Sequence, residues 1–202
     1  KQLQQIKKDN IVHSFAVEEC VAFVNHINRK LGHDPQLKYL LPLDTSNVHS
    51  LFTAVSDGVL LCKLVNEAVP DTIDERVLNL SPTNRFHITE NHNSAINGAK
   101  SIGLKVVNIG AHDLIEATPH LVLGLVWQMV KLQLLSKINL KDNPNLFVLL
   151  QPGEELADLL KLTPEKLLMR WFNHHLEKAG CKRRLNNWGA DLIDSELYAH
   201  LL

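Results

Sequence analysis

The chain has few of the features that would place it in an unusual setting. Only three of its 202 residues are cysteine, and all three lie in apolar, helix-like contexts, which favours a reducing intracellular compartment. Lys and Arg number 21 against 22 Asp and Glu, so a net charge of −1 gives no strong field for nucleic acid or an anionic membrane. Eight prolines and nine glycines are too few for a collagenous or largely disordered chain.

Long apolar runs are also missing. The longest, residues 121–135, is interrupted by Gly124, Gln128, Lys131 and Gln133, and it is shorter than the roughly 20 apolar residues of a membrane span. We interpret it as a core helix that is surrounded on nearly all sides, with Trp127 buried. The polar N-terminus lacks the apolar stretch of a signal peptide, and residues 1–12 are predicted to be a linker.

No catalytic or metal-binding pattern is present in the sequence. Eleven histidines include no His-Glu-x-x-His, and no Cys-x-x-Cys occurs. The adjacent His174 and His175 would point in different directions on a helix. Phosphate-binding loops, a nucleophile elbow and a calcium loop are likewise missing. We therefore expect no metal, no cofactor and no enzymatic activity.

The pattern that does occur is helical, and it predicts an all-α fold. Apolar residues recur with a period near 3.6, and start signals such as Asp57-Gly58, Thr118-Pro119 and Thr163-Pro164 precede the periodic stretches. Residues 104–109 are the only β-like run. The predicted helices are 17–31, 48–55, 56–69, 89–102, 119–136, 154–161, 165–179 and 191–202.

A weak internal repeat indicates two related domains. His26 and Asn28 align with Trp171 and Asn173, and Asp57-Gly58 aligns with Asp194-Ser195. The first copy continues through the apolar helix, whereas the second stops at Leu202. The predicted organisation is a first domain at 13–137, a linker at 138–161 and the N-terminal part of a second domain at 162–202.

Several motifs resemble a known family. The segments Val106–Leu114 and Pro119–Val130 look like the second signature of actinin-type actin-binding domains, and Asp57–Asn66 resembles the Asp-Gly helix of calponin-homology domains. Actinin-type domains also have a first signature near their N-terminus. This chain has His26 where that signature has Trp, and it keeps the signature's Asn as Asn28. The run Val69–Arg76 and the loop 33–47 are similar to the first domain of fimbrins (plastins), and Leu167–Leu176 is similar to the opening helix of their second domain.

The resemblance implies a calponin-homology helical bundle that binds the side of actin filaments as part of a fimbrin-type cross-linker. It also implies a monomeric, cytoplasmic protein of the actin cytoskeleton, with no nucleic-acid or membrane partner. The family's actin contacts correspond to the regions 17–31, 108–135 and 164–179. Polar residues in these regions are the candidate contacts: Arg29, Lys30, Gln128, Lys131, Lys166, Arg170 and Lys178.

The alternative is a signalling adaptor whose calponin-homology domain binds proteins other than actin. Adaptors of that kind carry a single domain, so the repeat at 163–202 counts against this hypothesis. An enzyme is a more distant third because the catalytic constellations are missing.

Overall fold

A computed structural model describes residues 3–8, 11–47 and 49–202, and it describes side chains from residue 17 onward. The chain divides into two compact units, Lys1–Gln133 and Leu134–Leu202. In the first unit, strands β1 (Leu3–Lys8) and β2 (Ile11–Ala16) pair antiparallel, with Leu3 opposite Ala16. The sequence pattern does not predict this pair. The linker expected at 1–12 also includes residues 1, 2, 9 and 10, which lie outside the described part of the chain.

The rest of the described chain is helical. The α-helices are α1 (Val17–Leu31), α2 (Ser50–Ala54), α3 (Val59–Ala68), α4 (Arg85–Ser101), α5 (Ala111–Ile115), α6 (Pro119–Ser136), α7 (Leu156–Leu160), α8 (Pro164–Lys178) and α9 (Glu196–Ala199). Short 3-10 turns occur at Pro35–Leu37, Glu75–Val77, Pro144–Leu149 and Ala190–Leu192. The β-like run 104–109 forms no strand.

Several helix ends follow the start signals in the sequence. Helix α6 begins at Pro119, and α8 begins at Pro164 with the Thr163 hydroxyl accepting a hydrogen bond from the Lys166 N–H. Helix α4 begins four residues earlier than predicted because Asn84 caps it by accepting from the His87 N–H. The predicted start of the 48–55 helix, Val48, lies outside the described residues.

Helix α3 is the surrounded helix of the first unit. Its residues from Val59 to Val65 are all buried, and they pack with apolar side chains of α1, α2, α4 and α6 in one continuous core. Lys63 lies in this buried run, and its ammonium group pairs with Asp34 at 3.0 Å and Glu75 at 2.7 Å. Helix α3 therefore has the role that the sequence pattern assigns to α6.

Helix α6 has one exposed face, and the prediction of a buried Trp127 was wrong. His120, Gly124, Trp127 and Lys131 follow one another at spacings of four, three and four, so they form one stripe, and all four are exposed. Trp127 keeps 46% of its surface exposed while its ring stacks against Phe23 at 6.2 Å. Because the helix is apolar on nearly all sides, its sequence does not show which face is buried by the other helices. Among the described residues, no helix is both long and apolar enough to cross a membrane.

The second unit has two small apolar clusters. One gathers around Phe172, Leu176 and Leu197, and the other around Leu149, Leu159 and Leu167. Ile138, Leu140, Leu146 and Leu150 pack against the second cluster. The segment predicted as an inter-domain linker therefore supplies part of this unit's core.

Candidate functional site

The two units share a local device that fixes the loop after their first long helix. In the first unit, Asn28 of α1 donates to the Leu43 carbonyl at 2.9 Å and accepts from the Leu43 N–H at 2.7 Å. In the second unit, Asn173 of α8 makes the same two bonds to Leu185, at 2.8 and 2.7 Å. The repeat that aligns Asn28 with Asn173 is therefore confirmed in three dimensions.

A second correspondence lies at the start of a later helix in each unit. The Asp57 carboxylate accepts from the Val59 N–H, and the Asp194 carboxylate accepts from the Glu196 N–H. The intervening residue is left-handed in both, with φ of +79° at Gly58 and +62° at Ser195. The Asp-Gly motif therefore starts a helix, and the second copy keeps this geometry with a serine.

The candidate cations of α1 are both exposed and both engaged. The Lys30 ammonium lies 3.4 Å from a Glu67 carboxylate oxygen of α3. One Arg29 guanidinium nitrogen, Nη2, lies 3.3 Å from Nδ1 of His26, one turn back on the same helix. The positions of these two cations are thus set by neighbours in the first unit.

His26 itself is buried, with 5% of its surface exposed. Its Nε2 lies 2.6 Å from Oε1 of Gln133 on α6, and the Gln133 amide group donates to the Leu64 carbonyl of α3 at 3.2 Å. A series of hydrogen bonds therefore links α1, α6 and α3 at the position where the family signature has Trp. The sequence did not predict these hydrogen bonds, and the histidine in place of Trp was the one feature that pointed to them.

The two candidates on α6 differ in what they do. The Gln128 amide accepts from the Lys105 N–H at 2.7 Å and donates to the Lys105 carbonyl at 3.1 Å. It therefore holds the segment between α4 and α5 against α6. Lys131 is exposed and follows Trp127 by one turn, so an aromatic ring and a cation lie on one accessible stripe.

The three candidates on α8 belong to the second unit. Arg170 forms a two-pronged ion pair with Glu154, at 2.6 and 3.1 Å, which fixes the segment before α7 against α8. These bonds hold the pKa of the Glu154 carboxyl below its ordinary value. Lys166 and Lys178 are exposed.

An open groove of about 550 Å³ runs along α8 in the second unit. Its lining combines basic side chains with an acidic one and with the 148–152 segment; the charged and histidine residues are Lys166, Arg170, His174, Glu177 and Arg184. In the part of the chain that the structure describes, no group of three or more His, Cys, Asp or Glu side chains is placed to hold a metal ion.

The calponin homology (CH) domain family matches residues 16–133, which include the complete core of the first unit. The chain belongs to this family. Its CH unit contains the two hydrogen bonds from Asn28 to the Leu43 backbone, which we call the loop clamp. It also contains the Asp57-Gly58 helix start and the exposed α6 stripe described above.

Beyond its CH domain, the chain is similar to fimbrins and plastins over nearly its whole length. It is 52% identical to plastin-2 of Danio rerio over 190 residues, covering 94% of this chain and 30% of that protein. It is 51% identical to fimbrin of Dictyostelium discoideum over 192 residues, covering 95% of this chain and 31% of that protein. The chain thus spans about a third of the length of these curated relatives.

A solved structure has a similar helical fold. The actin-crosslinking core of Schizosaccharomyces pombe fimbrin matches with a TM-score of 0.76 and 40% identity, over 93% of this chain and 37% of that one. The all-α CH fold and the resemblance to fimbrins, both predicted from the sequence, are confirmed. The structure places four candidate contacts in the first unit and three in the second.

Proposed function

We propose that this chain binds the side of actin filaments and forms part of a fimbrin-type cross-linking protein. The observation that carries the proposal is the match to the actin-crosslinking core of Schizosaccharomyces pombe fimbrin over 93% of this chain. Identities of 51–52% to a fimbrin and a plastin over 94–95% of the chain support it. The role is that of a binding module without catalysis, in a monomeric protein of the cytoplasmic actin cytoskeleton.

The exposed cations are the proposed filament contacts, because actin filaments are acidic. In the first unit these are Arg29, Lys30 and Lys131, with Trp127 adding an exposed aromatic surface beside Lys131. In the second unit they are Lys166 and Lys178.

Gln128 and Arg170 contribute to the same regions in another way. The amide of Gln128 is already bound to the Lys105 backbone, and the guanidinium of Arg170 is bound to Glu154. We assign both residues to holding the surfaces from which the exposed cations project.

Co-sedimentation with filaments at about 50 and 200 mM salt tests this proposal. Exposed charge pairs are screened over about 8–10 Å at physiological ionic strength, so higher salt should reduce pelleting. Lys131→Glu should weaken binding more than Lys100→Glu, which makes the same charge change at an exposed position of α4 outside the proposed surface. Equal effects of the two variants would contradict the assignment of α6. A folded chain that never pellets would favour a protein partner other than actin.

A further inference from the structure

The surface cation Arg29 is coupled to the interior through one histidine. Its Nη2 lies 3.3 Å from Nδ1 of His26, and Nε2 of the same imidazole lies 2.6 Å from Oε1 of Gln133. His26 is buried between α1 and α6, whereas Arg29 is exposed. A substitution of this imidazole therefore directly removes a contact of a surface cation.

The hydrogen bonds at both ends define which nitrogen of His26 carries the proton. Because the Gln133 amide group donates to the Leu64 carbonyl at 3.2 Å, its oxygen faces His26, so His26 Nε2 must donate. A guanidinium can only donate, so Nδ1 must accept from Arg29. Two independent partners thus require the same neutral Nε2–H form of the imidazole.

We propose that His26 is a positioning residue for filament binding: its Nδ1 lone pair accepts from the Arg29 guanidinium and orients it. This inference rests on the proposed function, because it assigns Arg29 to the filament contact. Nδ1 is the one atom of the imidazole that can accept from Arg29, because Nε2 donates to Gln133. Loss of this acceptor should therefore weaken filament binding.

Two conservative substitutions separate positioning from packing. His26→Asn keeps an acceptor near the place of Nδ1 but cannot reach Gln133, whereas His26→Gln keeps a donor toward Gln133 but has no acceptor near Nδ1. Asn should retain wild-type affinity at pH 7.5, and Gln should weaken it about two- to five-fold, the range expected for one exposed charge contact.

The experiment is co-sedimentation of wild type, both His26 variants, Arg29→Ala and the double variant His26→Gln with Arg29→Ala. His26→Gln should weaken binding about two- to five-fold when Arg29 is present and should have no further effect in the Arg29→Ala background, because the imidazole acts through Arg29. An equal loss in both backgrounds would overturn the inference. So would equal affinities of the Asn and Gln variants, provided that their circular dichroism shows folded protein.

Nitrogen-15 NMR of the histidine side chains tests the local geometry without filaments. At pH 7.5 the His26 signals, assigned by their absence from His26→Asn, should show a protonated Nε2 and an unprotonated Nδ1. A protonated Nδ1 at that pH would overturn the inference even if filaments are bound. If the folded wild type does not pellet with filaments while the NMR result holds, the proposed function fails and the His26–Arg29 contact stands.

Discussion

The loop clamp of Asn28 gives a quantitative test of how the first unit is held together. Asn28→Ala removes both hydrogen bonds to the Leu43 backbone, at 2.9 and 2.7 Å, and the Leu43 side chain is buried. A typical hydrogen bond contributes about 0.5–1.5 kcal/mol net, so the free energy of unfolding should fall by about 1–3 kcal/mol. For a unit of this size that corresponds to a decrease in Tm of about 4–12 °C.

The control is Asn25→Ala, because Asn25 is exposed on the same helix. Both substitutions raise helix propensity by a few tenths of a kcal/mol, so their difference isolates the clamp. Thermal unfolding followed by circular dichroism measures both. If Asn28→Ala melts within 1 °C of Asn25→Ala, in roughly the same conditions, the clamp is not a stabilising element and the reasoning is refuted.

Three further outcomes are expected. Ser195→Gly should raise the free energy of unfolding by about 0.5–1 kcal/mol because it relieves a left-handed residue, whereas Gly58→Ser should lower it by more than about 2 kcal/mol, since a Cβ there would lie 2.8 Å from Asn91. Chemical denaturation measures both. Trp127→Ala should cost about 1–2 kcal/mol, below the roughly 3–5 kcal/mol of a buried aromatic, and a larger loss would contradict its exposure. Arg170 lowers the pKa of Glu154, so the stabilisation of the folded state by this ion pair is present above the ordinary carboxyl range and is lost as the pH falls. The Tm difference between wild type and Glu154→Gln should therefore shrink between about pH 7 and pH 3. A constant difference would contradict the ion pair.

Local sequence signals predicted where several helices start, because caps and periodicity act over a few residues. The starts of α6 and α8, the helix start at Asp57-Gly58 and the repeat that pairs Asn28 with Asn173 all lie where the sequence indicated. These features depend on near neighbours along the chain, and the residue types that provide them are few.

Features that depend on distant neighbours could not be predicted in the same way. The apolar composition of α6 could not show that Trp127 lies on its exposed face, because that depends on where the other helices pack. The partners of Gln128 and Arg170 lie 23 and 16 residues away in sequence, so a local pattern shows neither the Gln128 hydrogen bonds nor the Arg170 ion pair. The His26–Gln133 contact spans 107 residues, and only the unexpected histidine pointed to it.

The most direct test of the central claim is co-sedimentation of this 202-residue chain with actin filaments at high and at low centrifugal force. We expect the CH unit and the smaller second unit to provide at most one filament site on this chain, and cross-linking needs two. We predict saturable pelleting at high force only, with a Kd on the order of micromolar, about −8 kcal/mol. Absence of pelleting by folded protein would contradict filament binding, and pelleting of bundled filaments at low force would contradict the single site.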